Sequence, residues 1–175
     1  MIIRYAAVKS VGTDTPSIIR DQFVLCMGPN VAERGDEPGR YRGEVKEPGL
    51  FLGLVDGVVP NGLAQKAAKS SVDDVIALFG SVEDYRMYRE PDGRRKLGEC
   101  MRRIHELLLQ LSEIQAGKDF EACFAGLMVC RDFAVYGRAG NCRIYRFSDG
   151  VLELLTDEEA EAWELVASGK AQPDD

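Results

Sequence analysis

The stretch "GLFLGLVDGVVPNGLAQKAAKSS" (residues 49–71) runs from an unbroken apolar segment into an aspartate and a glycine, and then changes period. Residues 50–55 are apolar without alternation, as expected of a strand covered on both faces. From Asn61 to Phe79 the spacing becomes helical: Ala64, Ala68, Val72, Val75, Ile76 and Phe79 fall on one side, and Asn61 is placed to cap. Asp-Gly is a common turn pair, so the residues alone read Asp56-Gly57 as a turn with a solvated or capping carboxylate.

Working outward, Leu97, Met101, Ile104, Leu108, Leu111 and Gln115 mark a second helix, its stripe widened by Cys100, Leu107 and Ile114. "YREPDGRR" (88–95) reads as the turn between the helices. Upstream, "QFVLCM" (22–27) suits a strand that pairs with residues 2–8. The Gly-, Pro- and charge-rich segment 28–49 reads as a long exposed loop, and its "RGD" as a chance tripeptide. Downstream, 121–130, 133–138, 142–147 and 151–155 are strand-like runs joined by "RD", "AGN" and "SDG", connections short enough for an antiparallel meander with "SDG" as a hairpin turn. Residues 156–168 close as a helix, with Thr156 and Glu159 forming a capping box and Ala160, Trp163, Leu165 and Val166 its apolar side.

This order of strands, two long helices, four strands and a short helix implies an α+β layer structure, with the helices antiparallel across a mainly antiparallel sheet. If a second sheet packs beneath, 50–55 belongs in the middle. With 175 residues, 45% of them hydrophobic, the chain suits a single domain spanning 1–175 and is poorly matched to disorder. A net charge of −7 without a Lys/Arg cluster argues against nucleic acid. The N-terminus lacks a signal-peptide pattern and no run reaches the length of a membrane span, so the reading is cytoplasmic. The five cysteines (Cys26, Cys100, Cys123, Cys130, Cys142) lack CxxC spacing and read as reduced thiols packed like small apolar residues. The lone histidine, His105, sits at the edge of a helical stripe and reads as partly solvated, not as a ligand or base.

Three segments together carry a resemblance: "RDQFVL" (20–25), "LFLGLVDGV" (50–58) with its following helix, and "FAVYGRAGNCRIYRFSDGVLELLTDEE" (133–159). Their order resembles the metal-dependent protein phosphatase 2C (PPM-type) family, whose fold is a β-sandwich flanked by antiparallel helix pairs. The resemblance implies two Mg²⁺ or Mn²⁺ ions that activate a water against a phosphoserine or phosphothreonine; such hard cations take oxygen ligands and need several carboxylates. On that match Asp56 is the metal-bridging aspartate, Gly57 the glycine whose carbonyl reaches a metal-bound position, and Asp21 the aspartate of the N-terminal motif.

The chain also departs from the family. Pro16 stands where a phosphate-gripping arginine usually does. Arg20 is the weak substitute, since adjacent side chains on a strand point to opposite faces. Asn141 in "GNCR" replaces an aspartate associated with an accessory metal, and "VVP" replaces the glycines after Asp-Gly. The chain ends at Asp175, before the family's elements that carry two further aspartate ligands. Asp14, Asp36 and Glu47 could serve instead only if their loops fold back.

Three functions follow. The first is a short, degenerate member that has lost catalysis, binds Mg²⁺ or Mn²⁺ weakly or not at all, and serves as a regulatory module binding a protein such as a phosphoprotein. The second is an active Mg/Mn-dependent serine/threonine phosphoprotein phosphatase, and the third an unrelated α+β interaction domain. No catalytic residue is assigned. Early-ending sheets would expose an edge, which implies a homodimer or a permanent partner across it.

Overall fold

A computed structural model of the protein describes residues 3–9, 21–27, 30–35, 39–45, 49–57, 63–80, 87–114 and 120–156. Its elements in chain order are β1 (Ile3–Lys9), β2 (Asp21–Met27), β3 (Asn30–Arg34), β4 (Gly39–Val45), β5 (Leu50–Gly57), α1 (Leu63–Phe79), α2 (Glu90–Ile114), β6 (Ala122–Val129), β7 (Ala134–Ala139), β8 (Tyr145–Ser148) and β9 (Val151–Leu154). A five-stranded sheet has the order β3-β2-β5-β6-β7, with β1–β4 and β8–β9 as separate two-stranded sheets. Every pairing among the described strands is antiparallel. The apolar run of β5 takes the central place, as its composition implies.

The pleat sorts the strand residues into two layers. On one face Val24, Cys26, Phe51, Val55, Phe124, Met128 and Val135 join Ala68, Val72, Val75 and Phe79 of α1 and Leu97, Cys100 and Ile104 of α2 in one buried cluster. Phe51 and Phe79 stack at 3.7 Å with 7° between their planes. On the opposite face Leu25, Leu50 and Val45 form a smaller cluster flanked by Tyr5, Met27, Leu52 and Val129, so β1–β4 packs beneath β2 and β5. Phe23 meets Tyr41 edge-on across the same gap, with centroids 4.7 Å apart. Cover on this second face thins along β5. Leu50 is fully buried, whereas Leu54 is 57% exposed and Asp56 is exposed, so only the first half of the strand is covered on both sides.

Gly53, Gly126 and Gly137 are successive cross-strand partners on β5, β6 and β7. A Cβ on Gly126 would lie 2.9 Å from Leu97, and one on Gly137 would lie 2.6 Å from Met101. The missing side chains at Gly126 and Gly137 let α2 lie close against β6 and β7, while a Cβ on Gly53 would meet Phe51 and Val24. The helix itself starts earlier than its stripe implied. Residues 90–95 are its first turns and not a linker, because Pro91 is tolerated in the first turn, where its absent N–H has no acceptor to satisfy. Glu90 and Asp92 sit at the positive end of the helix dipole, and Glu90 pairs with Arg94 at 2.6 Å. His105 is exposed on α2, as expected.

Four expectations are corrected. Residues 28–49 are not one loop: they contain β3 and β4. The "GRYRGEV" of β4 has a two-residue period, with Arg40, Arg42 and Glu44 exposed and Gly39, Tyr41 and Gly43 half-buried, which its glycines and charges obscured. Second, β1 pairs with β4, not with β2. Third, the four C-terminal strands are not one meander. β6–β7 and β8–β9 are hairpins in different sheets, because at Gly140, with φ +75°, the chain leaves the larger sheet. The fourth is the early start of α2. The "SDG" turn holds: Asp149 and Gly150 both have positive φ, 53° and 81°, as a two-residue type I′ hairpin demands. Thr156 is buried and its Oγ1 accepts the N–H of Ile144 at 3.2 Å. The helix expected at 156–168 falls, after Thr156, outside the described residues, as do the Asn61 cap and Gln115. No helix among the described residues is long and apolar enough to cross a membrane.

Cys26, Cys100 and Cys130 are core thiols, as expected. Burial pushes Cys100 up to about 12 from an ordinary 9.0, with Asp74 adding to the rise, and Cys26 and Cys130 to about 11. A thiol whose pKa is raised on folding stabilises the fold fully below the unfolded value and loses that contribution as pH climbs through the folded one. Stability is therefore expected to fall between pH 9.0 and about 12, with Cys100 contributing on the order of 1 kcal/mol per pH unit in that window. Urea midpoints across that range should drop less for Cys100→Ala than for the parent. Equal slopes would count against the assignment.

Candidate functional site

At one end of the larger sheet β2 begins, β5 ends, β6 begins and β7 turns away. The register there is continuous: Asp21 is the partner of Asp56, and Asp56 is the partner of Cys123. Asp56 and Gly57 still belong to β5, so the pair is not the turn that the residues alone suggested. Since residues 50, 52 and 54 alternate with the helix-facing Phe51, Gly53 and Val55, Asp56 lies on the face away from the helices. Its side chain is exposed and Gly57 is buried. Two of the expected site positions, Asp21 and Asp56, are thus brought opposite each other, and Gly57 follows directly.

Beyond Cys123 lies the turn after β7. Gly140 sits so close that a Cβ there would be 2.7 Å from the Cys123 sulfur. The Asn141 N–H donates to Cys123 Sγ at 3.3 Å. Cys142 N–H returns to the Gly140 carbonyl at 2.8 Å, closing a tight three-residue turn. Arg138 braces it by donating to the same carbonyl at 2.7 Å. Cys142 is pushed up to about 11, first by burial, then by Cys123 and Asp56, with Arg138 opposing. Asp56, Arg138, Cys123 and Cys142 therefore share one neighbourhood. Reading all five cysteines as core residues fails for these two, which are half-buried.

Arg20, Pro16, Asp14, Asp36 and Glu47 lie outside the described residues. The signal that could have found the thiol pair is hairpin register: Val129 opposite Ala134 places position 123 opposite 140.

No protein-family model matches the chain, and no curated protein matches it. Solved structures do. The serine/threonine phosphatase Stp1 from Staphylococcus aureus is 15% identical, with a TM-score of 0.73, over 99% of this chain and 60% of that one. The S. agalactiae serine/threonine phosphatase is 14% identical, with a TM-score of 0.68, over 99% and 62%. The catalytic domain of the serine/threonine protein phosphatase PstP, solved in complex with two manganese ions, is 14% identical, with a TM-score of 0.65, over 99% and 63%. The chain thus has the α+β fold of phosphatase-2C-type proteins and spans less than two thirds of the length of each.

Asp56 has Asp21 as its register partner on β2, and two thiols and the Asn141 turn on its β6 side; Mg²⁺ and Mn²⁺ select carboxylate, carbonyl and water, so the thiols on the β6 side are poor partners for them. Among the described residues no group of three or more His, Cys, Asp or Glu side chains is placed to hold a metal ion.

Proposed function

We propose that the chain is a phosphatase-2C-like module that no longer hydrolyses phosphoesters and works by binding a protein partner, as a regulatory pseudophosphatase in cytoplasmic phosphoprotein signalling. A single domain spanning 1–175 would form the module. The observation that carries this reading is the donor set at the strand ends: thiols of Cys123 and Cys142 stand beside Asp56, where two-cation hydrolysis calls for carboxylates. Asn141 in the adjoining turn is uncharged, which lowers the negative charge available to offset a divalent pair.

A second reading, an active Mg/Mn-dependent serine/threonine phosphoprotein phosphatase, is favoured by one observation: Asp21 and Asp56 are register partners, as two ligands of one centre would be. The experiment that separates the readings is a Mn²⁺ titration by calorimetry beside turnover of p-nitrophenyl phosphate and a phosphothreonine peptide. The expected result is no metal-dependent turnover, with identical background for the parent and Asp56→Asn. Turnover that needs Mn²⁺ and disappears in Asp56→Asn would overturn the proposal in favour of the enzyme.

A further inference from the structure

We infer that Cys123 and Cys142 are a redox modification site, a thiol pair that closes to a reversible disulfide between β6 and the turn after β7, with a hydroperoxide as its oxidant. Five thiols are present, and the fold sorts them. Cys26, Cys100 and Cys130 are closed off in the core at 0%, 1% and 1% exposure, while Cys123 and Cys142 are half-buried and reachable by a small oxidant.

Three features hold the pair together. Gly140 takes the place opposite Cys123, and its lack of a side chain removes what would collide with the sulfur at 2.7 Å. The Asn141 N–H anchors that sulfur at 3.3 Å, and the Cys142 N–H to Gly140 carbonyl bond of 2.8 Å turns the chain back over it. Gly140 lies against Cys123 and Cys142 follows it after one tight turn, so the backbone brings both thiols to the same turn. The inference does not depend on whether a cation binds at Asp56.

The chemistry balances with hydrogen peroxide. One sulfur gives its electron pair to a peroxide oxygen, the O–O bond breaks and one water leaves, giving a sulfenic acid. The second sulfur attacks the first, the S–O bond breaks as the S–S bond forms, and a second water carries away the remaining proton and oxygen. Two thiols are oxidised as one peroxide is reduced to two waters, and a dithiol reductant reverses the result.

The test is peroxide treatment of the full native chain, followed by thiol titration and tryptic mapping without reduction. Free thiols are expected to fall from five to three. Peptide 119–131 should appear joined to peptide 139–143 in the monomer, with the combined mass lower by two hydrogens and the link lost on reduction. Because 119–131 also contains Cys130, fragment ions must place the bond at Cys123. Cys142→Ser should abolish the cross-link while the parent mapping stands as the folded reference. A bond at Cys130, a link between two chains, sulfinic acid in place of the disulfide, or five surviving thiols would each overturn the assignment.

Discussion

Phe51→Ala is expected to lower stability by about 3–5 kcal/mol, a large share of the roughly 5–15 kcal/mol that a domain has in total. Phe51 is fully buried on the central strand and lies flat on Phe79 of α1, so truncation removes apolar area and leaves a void between sheet and helix that neither can easily fill. Part of the loss belongs to the ring pair: a cycle with Phe79→Leu should return a coupling of about 0.5–1.5 kcal/mol. The internal control is Leu54→Ala, three residues along the same strand but 57% exposed on the other face, where a change within about 0.5 kcal/mol is expected. Urea denaturation of Phe51→Ala, Phe79→Leu, their double and Leu54→Ala, four variants, decides it. A cost for Phe51→Ala no larger than for Leu54→Ala would mean that the helix layer does not cover β5.

Phe51 and its surroundings were legible because they obey a period. The continuous apolar run of β5, the helical stripes of α1 and α2 and the type I′ "SDG" turn each follow from local spacing or local backbone demand. What escaped was non-local. Nothing in residues 3–9 says that they pair with 39–45 across the intervening β2 and β3 in preference to β2 itself. The chain's exit from one sheet to another at Gly140 depends on a close approach to Cys123, which only the folded hairpin creates.

The candidate site divides the same way. Asp56 stood out as a carboxylate ending an apolar strand, and the phosphatase resemblance singled out Asp21 separately; that the two are register partners is visible only in the folded sheet. Its other neighbour was hidden: Cys123 and Cys142 are far apart in sequence and look like two more core thiols until β6 and β7 are set in register. Once they are, the site is an Asp21–Asp56 pair with two sulfurs on its β6 side, and redox chemistry becomes as natural there as cation binding.

The glycine row gives the other large effect, and it too went unread in the sequence, although glycines inside three strands are unfavourable enough to need a reason. Gly126→Val is expected to destabilise by about 1–3 kcal/mol, since added volume in a packed layer forces off-rotamer side chains or a backbone shift. The collision is specific: a Cβ at position 126 meets Leu97 of α2 at 2.9 Å and the Phe124 ring at 2.7 Å. Both neighbours are side chains, so the cost should be recoverable. Leu97→Ala in the Gly126→Val background should restore part of the lost stability, although Leu97→Ala alone costs about 2–5 kcal/mol. Gly98, on the same helix but with nothing within 4 Å of its would-be Cβ, provides the contrast: Gly98→Ala is expected to stabilise by about 0.5–1 kcal/mol through helix propensity. Thermal or urea unfolding of the four variants reads all these signs at once. Additive losses for Gly126→Val and Leu97→Ala would show that α2 does not rest on the glycine row.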